Sequence, residues 1–155
     1  MNANQQIIPI ATDHGGYAMK SFLIAKLREA GYEVKDFGTF SEDSVDYPDY
    51  IHPMASAVNA GTYPKGIVLC GSGNGAQMVA NKYPNVRAAL CFDVEQTALT
   101  RRHNDANILS LPGRFIPFET AWEMVQVFLS TAFEGGRHGQ RVEKISSKLN
   151  LSSNG

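Results

Sequence analysis

Short apolar runs separated by segments of helical periodicity are the feature that most limits what this chain can fold into. The runs predict five strands, at residues 7–11, 32–37, 65–70, 86–91 and 107–111. Helical spacing follows them over residues 22–30, 48–60, 76–82, 93–102 and 118–131. Because nearly continuous apolar strands have no side that faces water, the pattern predicts a parallel sheet covered by helices on both faces.

The predicted fold is therefore an α/β, three-layer αβα sandwich of the doubly wound, flavodoxin- or Rossmann-like kind, with strand order 2-1-3-4-5. Residues 135–149 resume helical spacing after a glycine break and predict an appended C-terminal helix. A chain of 155 residues without a repeat or a linker predicts one domain over residues 1–155, with a flexible tail at 150–155.

Charge and composition limit which classes of molecule this chain can bind. A net charge of -1 argues against a nucleic-acid binder, and no apolar run approaches the roughly 20 residues that cross a bilayer. The two cysteines, Cys70 and Cys91, do not form a disulfide framework, and Cys91 lies within an apolar strand as a core residue. We expect a cytoplasmic protein with reduced thiols. The four histidines show no metal-ligand spacing, so we expect neither a metal nor a cofactor.

A glycine-rich turn, CGSGNGAQM at residues 70–78, joins the third strand to the next helix. Glycine at 71, 73 and 75 allows a ligand to approach the backbone closely, and the following helix N-terminus attracts anions. The turn lacks the lysine of a P-loop and the spacing of a dinucleotide fingerprint. Two interpretations of Cys70 remain open at this point: a reactive thiol beside an anion site, or a small buried cysteine.

Polar clusters follow other predicted elements. Asp13 and His14 come directly after the first strand, as a helix cap or as ionisable groups of a site. The carboxyl ends of strands one and three meet at a crevice that binds ligands in such folds, so Asp13 and Cys70 should converge there. His103 and Asn104 lie in a polar connection, which is either a solvated turn or the position of a general acid or base.

Three arginines and a tyrosine complete the candidates. Arg137 and Arg141 are four residues apart and share a helix face, which suits a phosphate dianion or an exposed basic surface. Arg114 follows the fifth strand at the same sheet edge as the crevice, and Tyr47 lies in the 39–49 loop within possible reach of it.

Taken together, five stretches resemble the B-type ribose-5-phosphate isomerases, which are related to the galactose-6-phosphate isomerase subunits. The stretches are TDHGGYAMK (12–20), SVDYPDY (44–50), CGSGNGAQMVANK (70–82), RRHNDANIL (101–109) and FEGGRHGQRV (133–142). They cover nearly the whole chain in order. The resemblance implies a five-stranded α/β sandwich, a homodimer or homotetramer, and an active site built from two subunits.

The resemblance also implies metal-free interconversion of D-ribose 5-phosphate and D-ribulose 5-phosphate through a cis-enediolate. Cys70 would be the base that moves a proton between C1 and C2. Some relatives lack this cysteine and use a glutamate a few residues on, in a region that reads Asn74-Gly75-Ala76 here. Ser72 would assist proton movement between the oxygens, and His103, backed by Asp13, would open the furanose ring. The enediolate oxygens would be stabilised by backbone N–H groups of Gly71, Ser72, Gly73, Asn74 and Gly75. The implied phosphate ligands are His14, Arg114, Arg137 and Arg141, and Asn104 would contact sugar hydroxyls.

Two alternatives stay open. One is an isomerase of a six-carbon sugar phosphate, such as galactose 6-phosphate or allose 6-phosphate; galactose-type subunits diverge at the His-Asn-Asp and Gly-Gly-Arg-His stretches, which are intact here. The other is a non-catalytic flavin- or nucleotide-binding module, because flavodoxin-like sheets place ligands at the same crevice.

Overall fold

The computed structural model describes residues 6–147 of the 155-residue chain. Within that range the strands are β1 (Ile7–Thr12), β2 (Glu33–Asp36), β3 (Gly66–Cys70), β4 (Ala88–Leu90) and β5 (Ile108–Pro112). The helices are α1 (Tyr17–Glu29), α2 (Tyr47–Asn59), α3 (Asn74–Ala80), α4 (Val94–Asn104), α5 (Phe118–Ser130) and α6 (Arg137–Ser147). A single 3₁₀ turn, His14–Gly16, joins β1 to α1. The predicted tail at residues 150–155 lies outside the described residues.

All four strand pairings are parallel, which confirms the predicted sandwich and its C-terminal helix. The predicted strand order 2-1-3-4-5 is wrong in its last two positions, because the sheet runs β2-β1-β3-β5-β4. β5 is buried at every position and lies between two neighbours, whereas β4 has only three residues, two of them partly exposed. Strand length and exposure thus place β4 at the edge, although both runs are apolar in sequence.

The core consists of two layers, one on each face of the sheet. Alternate residues of β3 separate the layers: Ile67 and Leu69 pack with α1 and α5, and Val68 and Cys70 pack with α2 and α3. Cys91 belongs to the α1–α5 layer at 2% exposure, as predicted, and burial raises the pKa of its thiol to about 11. Because helices cover both faces of the sheet, a ligand-binding site must form at the ends of the strands.

One edge strand is held by a buried ion pair. Lys20 on α1 is 1% exposed; its Nζ atom lies 2.5 Å from an Asp36 carboxylate oxygen and donates to the Thr39 carbonyl at 2.8 Å. Asp36 also accepts from the Gly38 backbone N–H. These bonds fix the chain where it leaves β2 and enters the 39–46 loop. Among the described residues, no helix has the length and apolar character needed to span a membrane.

Candidate active site

A cavity of about 520 Å³ opens at the carboxyl edge of β1 and β3. Its walls come from the turns after both strands, from the start of α2 and from the segment after β5. The lining residues are Asp13, Tyr47, Cys70, Gly71, Ser72, Asn74, Gly75, Met78, Arg114 and Phe115. The sheet topology thus brings together the two polar clusters that follow strands one and three, as the sequence predicts.

Cys70 ends β3 and lies between the core and the cavity. Its side chain is 5% exposed and packs with the apolar layer that contains Val68 and Ala76. The same residue also lines the cavity. The surroundings of this cysteine are therefore apolar on one side and open toward a ligand-sized space on the other, and its reactivity stays a prediction.

The glycine turn is shaped by close backbone contacts. Gly73 has φ 74°, and its carbonyl accepts a hydrogen bond from the buried Ser110 hydroxyl at 2.7 Å. Ser72 Oγ accepts from the Asn74 backbone N–H at 3.3 Å. The N–H groups in the first turn of α3 have no carbonyl one turn earlier in the helix to bind. This turn places main-chain donors beside Cys70.

Asp13 caps the 3₁₀ turn and lines the cavity, whereas its neighbour His14 is not among the lining residues. Asp13 Oδ1 accepts from the Gly15 backbone N–H at 2.8 Å, and the side chain lines the cavity at 8% exposure. His14 Nδ1 accepts from the Val45 N–H at 3.1 Å, so this ring nitrogen carries no proton. His14 thereby holds the loop that leads into α2.

Arg114 and Tyr47 cover opposite parts of the glycine turn. The Arg114 N–H donates to the Gly71 carbonyl at 2.9 Å, and a Cβ built on Gly71 would stand 3.2 Å from Arg114 Nη1. The Tyr47 ring lies over Gly75 at the first turn of α2. Two further lining residues, Met78 and Phe115, were not predicted from the sequence; they are 59% and 67% exposed.

The remaining predicted residues lie elsewhere in the same chain. His103 and Asn104 end α4, just before β5 begins at Ile108. Ile108 pairs with Gly66, the first residue of β3, while Pro112 pairs with Cys70, the last. The amino-terminal and carboxyl-terminal ends of these paired strands are about 13 Å apart. One chain therefore does not bring His103 and Asn104 to the Cys70 cavity.

Arg137 and Arg141 lie on α6, which packs against α4. His138, between them, stacks on His103 with ring centroids 4.3 Å apart and planes 14° from parallel. Both rings approach the carboxylate of Glu134: its Oε1 lies 3.8 Å from His103 Nε2 and 3.7 Å from His138 Nε2. The sequence reasoning missed Glu134 and His138, although their spacing of four and their position in the Gly-Gly-Arg-His stretch offered a signal.

The electrostatics of this second cluster favour a neutral His138. Burial lowers the pKa of His138 below its usual range, and the positive charges of His103, Arg137 and Arg141 lower it further against the opposing effect of Glu134. Three potential metal-ligand atoms of His103, Glu134 and His138 lie within 4.8 Å of one another. However, nearly parallel rings direct their nitrogen lone pairs side by side rather than toward a common point, which does not suit a metal ion.

A larger cavity of about 640 Å³ lies beside the edge strand β4, between α3, α4 and α6. Of the predicted site residues only Asn104 borders it. Since Asp13, Cys70, Arg114 and the glycine turn converge on the smaller cavity, the smaller one is the candidate active site.

Comparison with known proteins identifies the family of this chain. The Ribose/Galactose Isomerase family model matches residues 8–145. Ribose-5-phosphate isomerase B of Escherichia coli is 41% identical over 140 residues, covering 90% of this chain and 94% of that protein. The crystal structure of a ribose 5-phosphate isomerase from Thermotoga maritima is 46% identical, with a TM-score of 0.89, and the match covers 92% of this chain and 98% of that one.

A second solved relative, ribose-5-phosphate isomerase B from Mycoplasma genitalium, contains bound ribulose-5-phosphate. It is 37% identical, with a TM-score of 0.87 and coverage of 91% of this chain and 94% of that one. Because the family model and these relatives span nearly the whole of residues 6–147, the chain belongs to the Ribose/Galactose Isomerase family, among its B-type ribose-5-phosphate isomerases.

Proposed function

We propose that this chain interconverts D-ribose 5-phosphate and D-ribulose 5-phosphate by proton transfer through a cis-enediolate. The observation that carries the proposal is the single cavity that holds Cys70, Asp13 and the glycine turn at the carboxyl edge of β1 and β3. A thiol, a carboxylate and aligned backbone donors supply the base and the anion stabilisation that an aldose–ketose isomerisation needs.

Chemistry begins with ring opening. His103 donates a proton to the ring oxygen of the furanose and takes up the proton that the C1 hydroxyl loses, so the imidazole ends in its starting proton state. Asp13 orients the imidazole. The open chain then presents an aldehyde at C1, whose neighbouring C2 proton is acidic enough for removal by a positioned base. His103 and Asp13 must come from different chains, because one chain places them near opposite edges of the sheet.

Isomerisation follows at Cys70. The thiolate takes the C2 proton and returns it to C1, and the Ser72 hydroxyl moves the proton between the two oxygens so that the carbonyl shifts from C1 to C2. The N–H groups of the turn from Gly71 to Gly75 stabilise the negative charge on the enediolate oxygens. Each donor aimed at such an oxyanion contributes about 3 kcal/mol. This scheme uses no metal and no cofactor.

The phosphate lies at the opposite end of the substrate. In one chain Arg114 borders the cavity and His14 directly follows Asp13, which lines it. Arg137 and Arg141 reach the cavity from a second copy of the chain, and Asn104 of that copy contacts the sugar hydroxyls. Phosphate binding away from the reacting carbons positions C1 and C2 against the sulfur. The exposed side chains of Met78 and Phe115 at the cavity suit contact with that second copy.

The assembly is accordingly a homodimer or a homotetramer, and residues 1–155 act as one domain in each subunit. The proposal places the enzyme in the cytoplasm, in keeping with two unpaired cysteines, and includes no membrane or nucleic acid among its partners.

A five-carbon substrate is favoured over a six-carbon one. Relatives with specific names include ribose-5-phosphate isomerases B, and one of these holds ribulose-5-phosphate. A comparison of kcat/KM for ribose 5-phosphate with that for allose 6-phosphate and galactose 6-phosphate tests this choice. A clear preference for a six-carbon sugar would overturn it.

The activity itself is tested by NMR in D₂O. We expect the purified protein, treated with EDTA, to convert ribose 5-phosphate into ribulose 5-phosphate with solvent deuterium incorporated at C1. A protein that carries stoichiometric flavin and leaves ribose 5-phosphate unchanged would instead be the binding module. A structure with a linear phosphorylated inhibitor would then test each assigned contact.

A further inference from the structure

The His103 ring contacts two residues, Glu134 and His138, that have no role in the proposed mechanism. It is the penultimate residue of α4, and its side chain is 39% exposed. A residue at a helix end with that exposure has considerable rotamer freedom unless neighbours restrict it. Among the described residues, the ring has an ion-pair contact with Glu134 and an aromatic stacking contact with His138.

Both neighbours are themselves anchored. The Glu134 backbone N–H donates to the Arg102 carbonyl at 3.0 Å, which ties the segment before α6 to the end of α4. The His138 N–H donates to the Gly135 carbonyl at 3.0 Å, and the His138 side chain is 11% exposed. The His138 ring is therefore held in place and largely buried, and the His103 ring stacks on it.

We propose that Glu134 and His138 are positioning residues for His103, which they hold in the ring plane and proton state that ring opening requires. This inference rests on the proposed function, since it assigns the means by which the ring-opening acid is set. His138 fixes the plane of the imidazole through the stack, and the Glu134 carboxylate stabilises one proton on the histidine pair.

The charges around the pair explain why one proton is favoured over two. Two imidazolium rings stacked at 4.3 Å would repel each other, and the positive charges of Arg137 and Arg141 on α6 also act against a proton on His138. Glu134 is the one carboxylate among the groups that act on His138, and it lies within ion-pair distance of both rings. His103 is the more exposed of the two rings and therefore the one that a substrate can reach.

The substrates allow a selective kinetic test. Ribulose 5-phosphate is acyclic, because its C5 oxygen is esterified, so hydrogen exchange at its C1 needs Cys70 but no ring opening. Turnover of ribose 5-phosphate needs both steps. We expect Glu134→Gln to lower kcat/KM for ribose 5-phosphate about tenfold, and C1 exchange in ribulose 5-phosphate less than twofold. Glu134→Asp should recover part of the loss.

His138 is tested by two substitutions. His138→Phe keeps an aromatic side chain for His103 to stack on, so it should retain most of the sugar ring-opening activity. His138→Ala removes the stacking partner and should show the same selective loss as Glu134→Gln. A merely structural role would act differently: disturbance of α6 would displace Arg137 and Arg141 and raise KM for both substrates together. Equal losses for both substrates would therefore overturn the inference.

NMR titration of the resting enzyme gives a readout independent of activity. We expect His103→Gln to raise the pKa of His138, because a neighbouring positive charge is removed, and Glu134→Gln to lower it. An unchanged pKa of His138 in both variants would overturn the inference. Normal ring opening in His103→Ala would overturn the role of His103 as the acid in the proposed function. If His103→Ala loses ring-opening activity but Glu134→Gln shows no selective loss for ribose 5-phosphate, only the positioning role is overturned.

Discussion

The Tyr47 ring lies so close to the backbone of Gly75 that a Cβ atom there would stand 2.6 Å from Tyr47 Cζ. Side-chain carbons do not approach this closely, so Gly75→Ala must displace the ring from the cavity wall. We expect kcat/KM for ribose 5-phosphate to fall about 10- to 100-fold, because small misplacements in a site are costly. Steady-state kinetics together with thermal unfolding measure the effect.

Gly139→Ala is the control for that substitution. A Cβ at Gly139 meets no atom within 4 Å, and the residue lies inside α6. We expect a gain in stability of about 0.5–1 kcal/mol from the better helix former. Unchanged activity in Gly75→Ala would contradict the assigned position of Tyr47.

The two cysteines should differ sharply in function. Cys70→Ala removes the base, so deuterium exchange at C2 of ribose 5-phosphate should fall at least about 100-fold while phosphate affinity is kept. Cys91→Ala should keep normal turnover and lose some stability, since its side chain is core. Isothermal calorimetry with inorganic phosphate and exchange measured by NMR decide the comparison, and near-normal turnover in Cys70→Ala would reject the base.

Alkylation tests the burial of Cys91. The pKa of Cys91 is raised to about 11 because the thiol is buried, so its thiolate is scarce at neutral pH. We expect iodoacetamide to leave Cys91 unmodified at pH 8 in the folded protein, and to modify it after unfolding. Mass spectrometry of digested protein measures the modification, and rapid labelling of native Cys91 at pH 8 would contradict its core position.

Mixing two inactive variants tests the shared site. Cys70→Ala and His103→Ala each disable one component, and the structure places the two residues near opposite edges of one sheet. If each site takes Cys70 from one chain and His103 from another, a mixed dimer has one intact site. Random re-association of equal amounts should restore about a quarter of the wild-type activity. No recovery, with mixed dimers demonstrated by native mass spectrometry, would show that the site is not shared in this way.

The buried ion pair of Lys20 should contribute strongly to stability. Lys20→Met leaves Asp36 and the Thr39 carbonyl without their ammonium partner, so we expect a loss of about 2–4 kcal/mol. Lys26→Met is the matched control, because Lys26 lies 4.0 Å from Glu29 on the surface and should change stability by at most about 0.5 kcal/mol. Urea denaturation measures both; equal effects would contradict the assigned role of Lys20.

Lys65 should make stability depend on pH. Burial, followed by the nearby charge of Arg101, lowers its pKa from 10.5 to about 8 in the folded protein. Between these values the unfolded chain binds more protons than the folded one, so this group's contribution to stability rises with pH. We expect the stability advantage of Lys65→Met over the parent to shrink between pH 7 and pH 10. A constant difference across that range would contradict the lowered pKa.

Much of the fold and half of the site could be predicted from local sequence. Apolar runs and helical spacing located the strands and helices to within two residues at each end, because each element carries its own periodicity; the exception is α1, which begins at Tyr17, five residues before the predicted start. Asp13 and Cys70 were placed together correctly, since the carboxyl ends of neighbouring parallel strands must meet. The glycine turn needed no tertiary information either, because GSGNG favours tight backbone geometry wherever it occurs.

The rest depended on contacts between distant residues. β4 and β5 are both short apolar runs, and only the packing of β5 against β3 decides which one is at the edge. Glu134, His138 and His103 come together only because α6 packs against α4, and no local periodicity records that contact. The sequence by itself therefore determined the elements, the sheet edge and the reactive turn, through short-range patterning of apolar and glycine residues. Tertiary structure alone decided the strand order and the separation of His103 from Cys70, because both depend on which buried surfaces pack best against one another.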